Sequence, residues 1–213
     1  MAGASIALAY TARNYKLAFR GQVTDRFTKA LERLDSERMH VRLGGILALE
    51  QIAADAPDQS RHARQVLSAF LQSQAPRCGG REAGAPLPAD VTAAVTALIS
   101  RYEPFARLDF RDLDLSQTYF GRGDFRNAQL ERVSLAGANL EFSFFANADL
   151  SGADLSRAWL DGAQFHYSKG LTVEQVLSAF PSLGTKLPNG IENDPLVVER
   201  ISEVEEWKAG RNS

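Results

Sequence analysis

Between positions 105 and 165 every fifth side chain is leucine or phenylalanine: Phe105, Phe110, Leu115, Phe120, Phe125, Leu130, Leu135, Leu140, Phe145, Leu150, Leu155, Leu160 and Phe165. A helix repeats its apolar face about every 3.6 residues and a strand every second one, so an unbroken period of five belongs to neither as a continuous element. A second column stands two residues before the large one and becomes small: Gly123, Ala128, Val133, Ala138, Ser143, Ala148, Ala153, Ala158 and Ala163. The remaining positions are mostly polar, with glycine at 121, 137, 152 and 162. Self-similarity at so short a fixed period marks an internal repeat, and a repeat constrains the fold more than any other feature of this chain.

The column pattern resembles the pentapeptide repeat family, whose units run Ala-Asp/Asn-Leu-X-X. The best-matching units are residues 138–142 (Ala-Asn-Leu-Glu-Phe), 148–152 (Ala-Asp-Leu-Ser-Gly) and 153–157 (Ala-Asp-Leu-Ser-Arg). The resemblance implies a right-handed, four-sided β-helix in which five residues make one face and twenty make one coil. The residues support that geometry. Positions twenty apart would stack, and Phe105, Phe125, Phe145 and Phe165 form one such ladder, with Gly123, Ser143 and Ala163 leaving room for the rings. Phe110, Leu130 and Leu150 fill the second side, Leu115, Leu135 and Leu155 the third, and Phe120, Leu140 and Leu160 the fourth. Large and small positions two apart point inward together. Coils bond to the next coil, so the ends of such a solenoid are open edges that need covering.

The N-terminal third has helical spacing. Residues 6–34 hold few breakers, and Phe27, Ala30, Leu31 and Leu34 share a face. Ser36 is a candidate cap for the next helix, which turns Val41, Ala48, Leu49 and Ile52 inward and ends at Pro57. Gly44 and Gly45 inside it point to a close helix–helix approach. A third helix over about 59–74 would bury Ala63, Val66, Leu67 and Phe70. The run from Val41 to Ile52 looks like a HEAT or armadillo helix, and also resembles the helical region that precedes the repeats in actinobacterial members of the family. Membrane helices come first in many of those relatives. Here Ala4 to Tyr10 is too short for a span, which needs about 20 residues.

Pro76, Gly79, Gly80, Gly84, Pro86 and Pro88 mark a linker, and Cys78 within it is read as inert. A fourth helix with Val91, Val95, Leu98 and Ile99 on one face abuts the first coil. Leu108 and Leu113 occupy its small column and would reach toward that helix, which caps the edge. A short helix over 172–180 would cap the other end. In the tail, Asp194 is a good N-cap, Pro195 a good first residue, and Gly210 a stop. The fold class is therefore mixed: an N-terminal helical domain (1–75), a linker (76–88), a capping helix (89–102), about three repeat coils (103–167), and a C-terminal cap with an amphipathic helical tail (168–213).

A net charge of −2 argues against direct nucleic-acid binding, and one cysteine excludes an intrachain disulfide. His40, His62 and His166 are scattered, no His/Cys/Asp group has metal-ligand spacing, and no phosphate loop or nucleophile elbow occurs, so no cofactor, metal or catalytic residue is expected. Asp109, Asp114, Asp124, Asp149 and Asp154 precede the large position, where an acid bonds turn backbone. The expected class is a non-enzymatic protein-interaction scaffold in the bacterial cytoplasm.

Its candidate partner-binding residues are Tyr119 and Trp159 on the outer fourth face with Phe142 and Phe144 around the corner, unless the helices or Trp207 of the tail cover them. Two other readings follow from the resemblance. Some family members imitate duplex DNA and protect DNA gyrase, a type II topoisomerase, from inhibitors. Three coils span only about 15 Å against about 34 Å for a turn of B-DNA, and Arg111, Arg122, Arg126, Arg132 and Arg157 interrupt the acidic surface. The other is a membrane-proximal scaffold, for which Arg13, Lys16, Arg20, Arg26, Lys29 and Arg33 of the first helix offer a positive face toward a membrane surface.

Overall fold

The computed structural model describes residues 21–78, 86–100 and 107–211. The chain divides between Leu67 and Ser68 into two compact units, inside a helix and earlier than the sequence boundary at residue 75. The first unit holds helix α1 (21–34), α2 (Met39–Asp55) and the start of α3 (Pro57–Cys78). Its core includes Val23, Ala30, Ile46, Leu49, Ile52, Ala63 and Leu67. Of the two central glycines, Gly45 makes the close approach: a Cβ there would stand 2.9 Å from the Ala30 carbonyl oxygen, whereas Gly44 faces open space. Ser36 does not cap α2. The N-cap is Arg38, and the Ser36 hydroxyl instead accepts from the Arg38 N–H at 3.2 Å in the preceding turn. Pro57 does not simply end α2 but opens α3, where a missing N–H costs nothing. That helix continues to Cys78, so this cysteine ends a helix and does not lie in a loop.

In the second unit, residues twenty apart pair in parallel. Asp109 bridges Gln129, which bridges Asp149, which bridges Lys169, and the columns starting at Asp114, Tyr119 and Asp124 repeat this on the other three sides. These are isolated bridges and not the continuous strands that "β-helix" suggests, because each side is interrupted by a turn after one bridged residue. The Phe110 N–H donates to Gln129 O at 2.9 Å and the Gln129 N–H to Leu108 O at 2.8 Å, so every coil is bonded to the next. Each corner is a four-residue turn. The Ala148 N–H, for example, donates to Phe145 O at 3.0 Å. The third residue of each turn has positive φ, at 112, 117, 122 and every fifth position to 167.

The interior matches the two columns. Phe125, Phe145 and Phe165 are fully buried and stack, with centroids 5.0 and 4.6 Å apart and ring planes within 5° of parallel. Phe105 lies outside the described residues. Phe110 and Phe120 meet Phe125 edge-on, each at 6.0 Å, and close the stack from two sides. Small residues are needed beside them: a Cβ on Gly123 would come within 2.8 Å of both the Phe125 ring and Ile99 Cδ1.

That contact with Ile99 belongs to the cap. Helix α4 (Ala89–Ile99) ends on the first coil, and Ile99 O accepts from the Asp124 N–H at 2.9 Å. Leu108 and Leu113 are buried as expected of residues at that edge. At the other end the bridging continues past the last repeat, through Lys169, Phe180 and Lys186. On the remaining side stands α5 (Val173–Ser178), held by a capping box of Thr172 and Gln175. The Gln175 amide also donates to Leu150 O and Ala153 O at 2.9 and 2.7 Å, and the second of these is a carbonyl that a further coil would otherwise satisfy. A short α6 (Asn189–Glu192) leads to α7 (Pro195–Arg211), with Asp194 accepting from the Leu196 N–H at 2.9 Å. Gly210 does not stop α7, which runs through it.

Phe145 has a ring on either side in the stack, so Phe145→Ala should lower stability by about 3–5 kcal/mol, and Phe145→Leu by clearly less. Urea unfolding followed by tryptophan emission measures both.

Candidate partner-binding face

The fourth side carries the outward column Tyr119, Asn139, Trp159 and Phe180, bridged in that order. Helix α7 lies over its C-terminal end. Trp207 stacks with Phe180 at 6.0 Å and 7°, and stands 5.7 Å from Trp159, which itself meets Phe180 at 4.9 Å. Lys208 reaches the Asp161 carboxylate at 3.2 Å, and Arg200 donates to Ala179 O. Trp159 is thus half-buried against the chain's own tail and does not share an open surface with Tyr119. The four aromatic candidates separate: Tyr119 is 71% and Phe142 52% exposed, while Phe144 is half-buried with the Arg126 guanidinium 5.4 Å from its ring.

Tyr119 and Phe142 do share a corner. The Tyr119 ring leans over Gly121, whose Cβ, if present, would meet the hydroxyl at 3.0 Å. Phe142 occupies the positive-φ position of the equivalent turn one coil on, φ 58°, with Arg122 6.0 Å below it and Gly162 above. Its ring covers the Gly162 backbone so closely that a Cβ there would meet it at 2.5 Å. An aromatic ring at such a turn position projects outward, because the inward side chains of the turn are those of its first and last residues, as with Phe145 and Ala148. Tyr167, at the positive-φ position of another corner and 80% exposed, obeys the same rule. Sequence reasoning missed it, although its place in the five-residue frame was available.

On the opposite edge of this side, the corner column of Gln117, Gly137 and Arg157 faces α7 across a cleft of about 530 Å³. Trp159, Phe180, Trp207 and Arg211 complete its lining. The tryptophan–phenylalanine–tryptophan cluster could not be located from the repeat alone, because Trp207 arrives from a helix outside it.

The repeat acids are structural. Asp109, Asp114, Asp124, Asp149 and Asp154 each accept, through Oδ1, the backbone N–H two residues on, at 2.9–3.1 Å. Two of them are also paired with cations, Asp109 with Arg111 and Asp124 with Arg126, and the corner residue Asp112 is paired with Arg132 one coil above. The Arg111 hydrogen bond holds Asp109 below the usual carboxylate range, and the Arg132 hydrogen bond does so for Asp112. Asp161 is also lowered, first by the hydroxyl of Ser182 and then by Lys208. Among the described residues no group of His, Cys, Asp and Glu could hold a metal ion, and no helix is long and apolar enough to cross a membrane.

The model of the family described as Pentapeptide repeats matches residues 109–141 and 128–166, with eight copies. Among solved structures, a pentapeptide repeat protein from the cyanobacterium Cyanothece 51142 is 26% identical, with a TM-score of 0.32, over 37% of this chain and 53% of that one. A pentapeptide repeat protein from the Arabidopsis thaliana thylakoid lumen is 32% identical, with a TM-score of 0.28, over 36% of this chain and 57% of that one. HetL from Nostoc, described as involved in heterocyst differentiation regulation, is 24% identical, with a TM-score of 0.29, over 34% and 36%. The chain therefore spans between about a third and somewhat over half of the length of these structures. No curated protein matches.

Two predictions test this face. Gly152 and Gly162 have the same positive φ, but a Cβ meets only Arg132 Cγ at 3.4 Å at the first and the Phe142 ring at the second. Gly152→Ala should cost about 1–2 kcal/mol of backbone strain and Gly162→Ala measurably more, with Phe142→Ala in that background removing the excess, all read by thermal melts. Asp161, lowered in the folded chain, stabilises above its unfolded pKa of about 3.9 and loses that contribution as pH falls through its folded value. The stability gap between wild type and Asp161→Asn, under about 1 kcal/mol for so exposed a pair, should be constant above pH ~5 and close below pH ~4.

Proposed function

We propose that this chain, whose residues 109–166 are pentapeptide repeats, is a non-enzymatic docking module that scaffolds a protein partner through the corner bearing Tyr119 and Phe142. The observation that carries the reading is their exposure. The repeat turns its regular apolar columns inward, yet Tyr119 on the fourth side and Phe142 at the corner that follows that side one coil on stand 71% and 52% exposed. Exposed aromatics on a rigid frame lose little conformational freedom on contact, which is why they dominate binding energies. A regular ladder with its acids bonded into turns presents no converging acid–base groups, which supports a binding role over catalysis.

The DNA-mimic reading for DNA gyrase requires a run of free negative charge along the rod. Here Asp109, Asp112 and Asp124 are each neutralised by an arginine. The membrane-surface reading rests on a basic first helix; Arg13, Lys16 and Arg20 of it lie outside the described residues, and Arg26 and Lys29 are paired with Asp55 and Asp25. Both observations favour the protein-docking reading.

Affinity capture from the native cell, comparing wild type with Tyr119→Ser/Phe142→Ser, tests it. Each substitution should remove about 1–2 kcal/mol of binding energy, so the double variant should lose its partner while keeping the wild-type melting profile. Recovery of the same proteins with both would show that this corner is not the docking site.

A further inference from the structure

The cleft between the Arg157 corner and α7 is separate from the exposed aromatic corner, and nothing in the repeat or its caps requires it to carry charge. Its volume, about 530 Å³, is in the range of sites that hold a ligand of several rotatable groups, about 300–1,000 Å³. Two guanidiniums line it, those of Arg157 and Arg211, and none of the lining residues is acidic. The cations around it are already matched: Arg200 pairs with Glu203, and Lys208 with Asp161 and Glu205. Arg157 and Arg211 have no ion pair among the described residues. Arg157 is exposed at its corner, and Arg211 lies over the Trp207 ring at 4.7 Å. Between them stand Trp159, Phe180 and Trp207, a wall of three rings in mutual contact in which Phe180 and Trp207 are parallel and Trp159 is tilted against both.

Two unmatched guanidiniums flanking an aromatic wall form a receptor for carboxylates borne on an apolar body. Arginine forks match carboxylate geometry, and the rings accept an aromatic or alkyl group between the two acids. A long polyanion fits less well. Glu199 and Glu206, both exposed on α7, would repel a long polyanion laid along that helix. We propose that this cleft binds a short acidic peptide segment of the docking partner, with a carboxylate on each of Arg157 and Arg211 and an aromatic side chain against Trp159 and Trp207. The proposal rests on the protein-docking reading above and adds the chemistry of the segment that is held.

The molecule supplies its own probe. The sequence contains two tryptophans, Trp159 and Trp207, and both line the cleft, so intrinsic emission reports on it alone. The full chain is titrated with acetyl-Glu-Phe-Glu-amide, with the same peptide carrying lysine for glutamate, with phenylacetate and with an oligothymidylate octamer. The expected result is a saturable change with the acidic peptide, at a Kd on the order of 100 μM, that weakens in 1 M salt. Arg157→Gln and Arg211→Gln should each weaken it about tenfold. Glutamine is tolerated at this kind of corner, since Gln117 has φ 57° two coils earlier in the same column. An unchanged thermal midpoint in each variant confirms that folding is not the cause.

No saturable change up to ~5 mM, an equal response to the lysine peptide, or indifference to both arginine substitutions would overturn the proposal. Tighter binding of the octamer would overturn it in favour of a nucleic-acid site, and equal binding of phenylacetate in favour of a small-acid site. Tyr119 and Phe142 do not line this cleft. Failure of the titration therefore leaves the capture experiment standing, and failure of the capture leaves a positive titration standing.

Discussion

The hydrogen bonds from each coil to the next hold residues twenty apart at the spacing of neighbouring strands, about 4.8 Å. Once that spacing is imposed, side chains of one column must stack, and only certain shapes stack well. Phenylalanine does so with planes parallel, as Phe125, Phe145 and Phe165 show at 5.0 and 4.6 Å. Leucine fills the other columns apart from Phe110 and Phe120 in the first coil. The small residue two positions earlier is a consequence of the same spacing, because a tube this narrow has no room for two large residues on one side. The cost is that both ends expose unpaired backbone groups. Ile99 at one end and Gln175 at the other meet that need with a carbonyl and a side-chain amide.

The same frame decides what the surface can do. Each corner needs a residue at positive φ, and the side chain there necessarily points away from the tube. Where that residue is glycine, a side chain from the preceding coil can close against the backbone, as Phe142 does on Gly162. Where two coils carry opposite charges there, the two corners can pair, as Asp112 does with Arg132 at 2.6 Å. Surface features are therefore columns rather than scattered patches. The exposed aromatic corner and the Arg157 cleft are the two columns that flank one side, with α7 closing that side at its C-terminal end.

Much of this was legible in the sequence. The period of five gave the inward and outward positions throughout, and the ladder of Phe125, Phe145 and Phe165 followed from counting in twenties. The acids before each large residue bond turn backbone, as their short side chains and position suggest. Less legible were the ends of elements. Ser36 has good N-cap chemistry, yet Arg38 holds the position because the tight turn before α2 uses the serine two residues early. Gly210 has the composition of a stop, but the helix continues through it at the modest cost of one glycine.

The candidate site divides in the same way. Sequence periodicity determined that Tyr119, Phe142 and Trp159 point outward, because the direction of a side chain in a repeat depends only on its place in the unit. It could not determine which of them meets water. Trp159 is covered by Trp207, forty-eight residues later in the chain. That contact depends on where α7 docks, which is fixed by the Asp161–Lys208 pair, by Arg200 reaching Ala179, and by apolar residues such as Val197 and Val204 that have no register with the repeat. Local pattern thus set the orientation of every residue in the solenoid, while exposure, and with it the surface left for a partner, was decided by packing between segments distant in sequence.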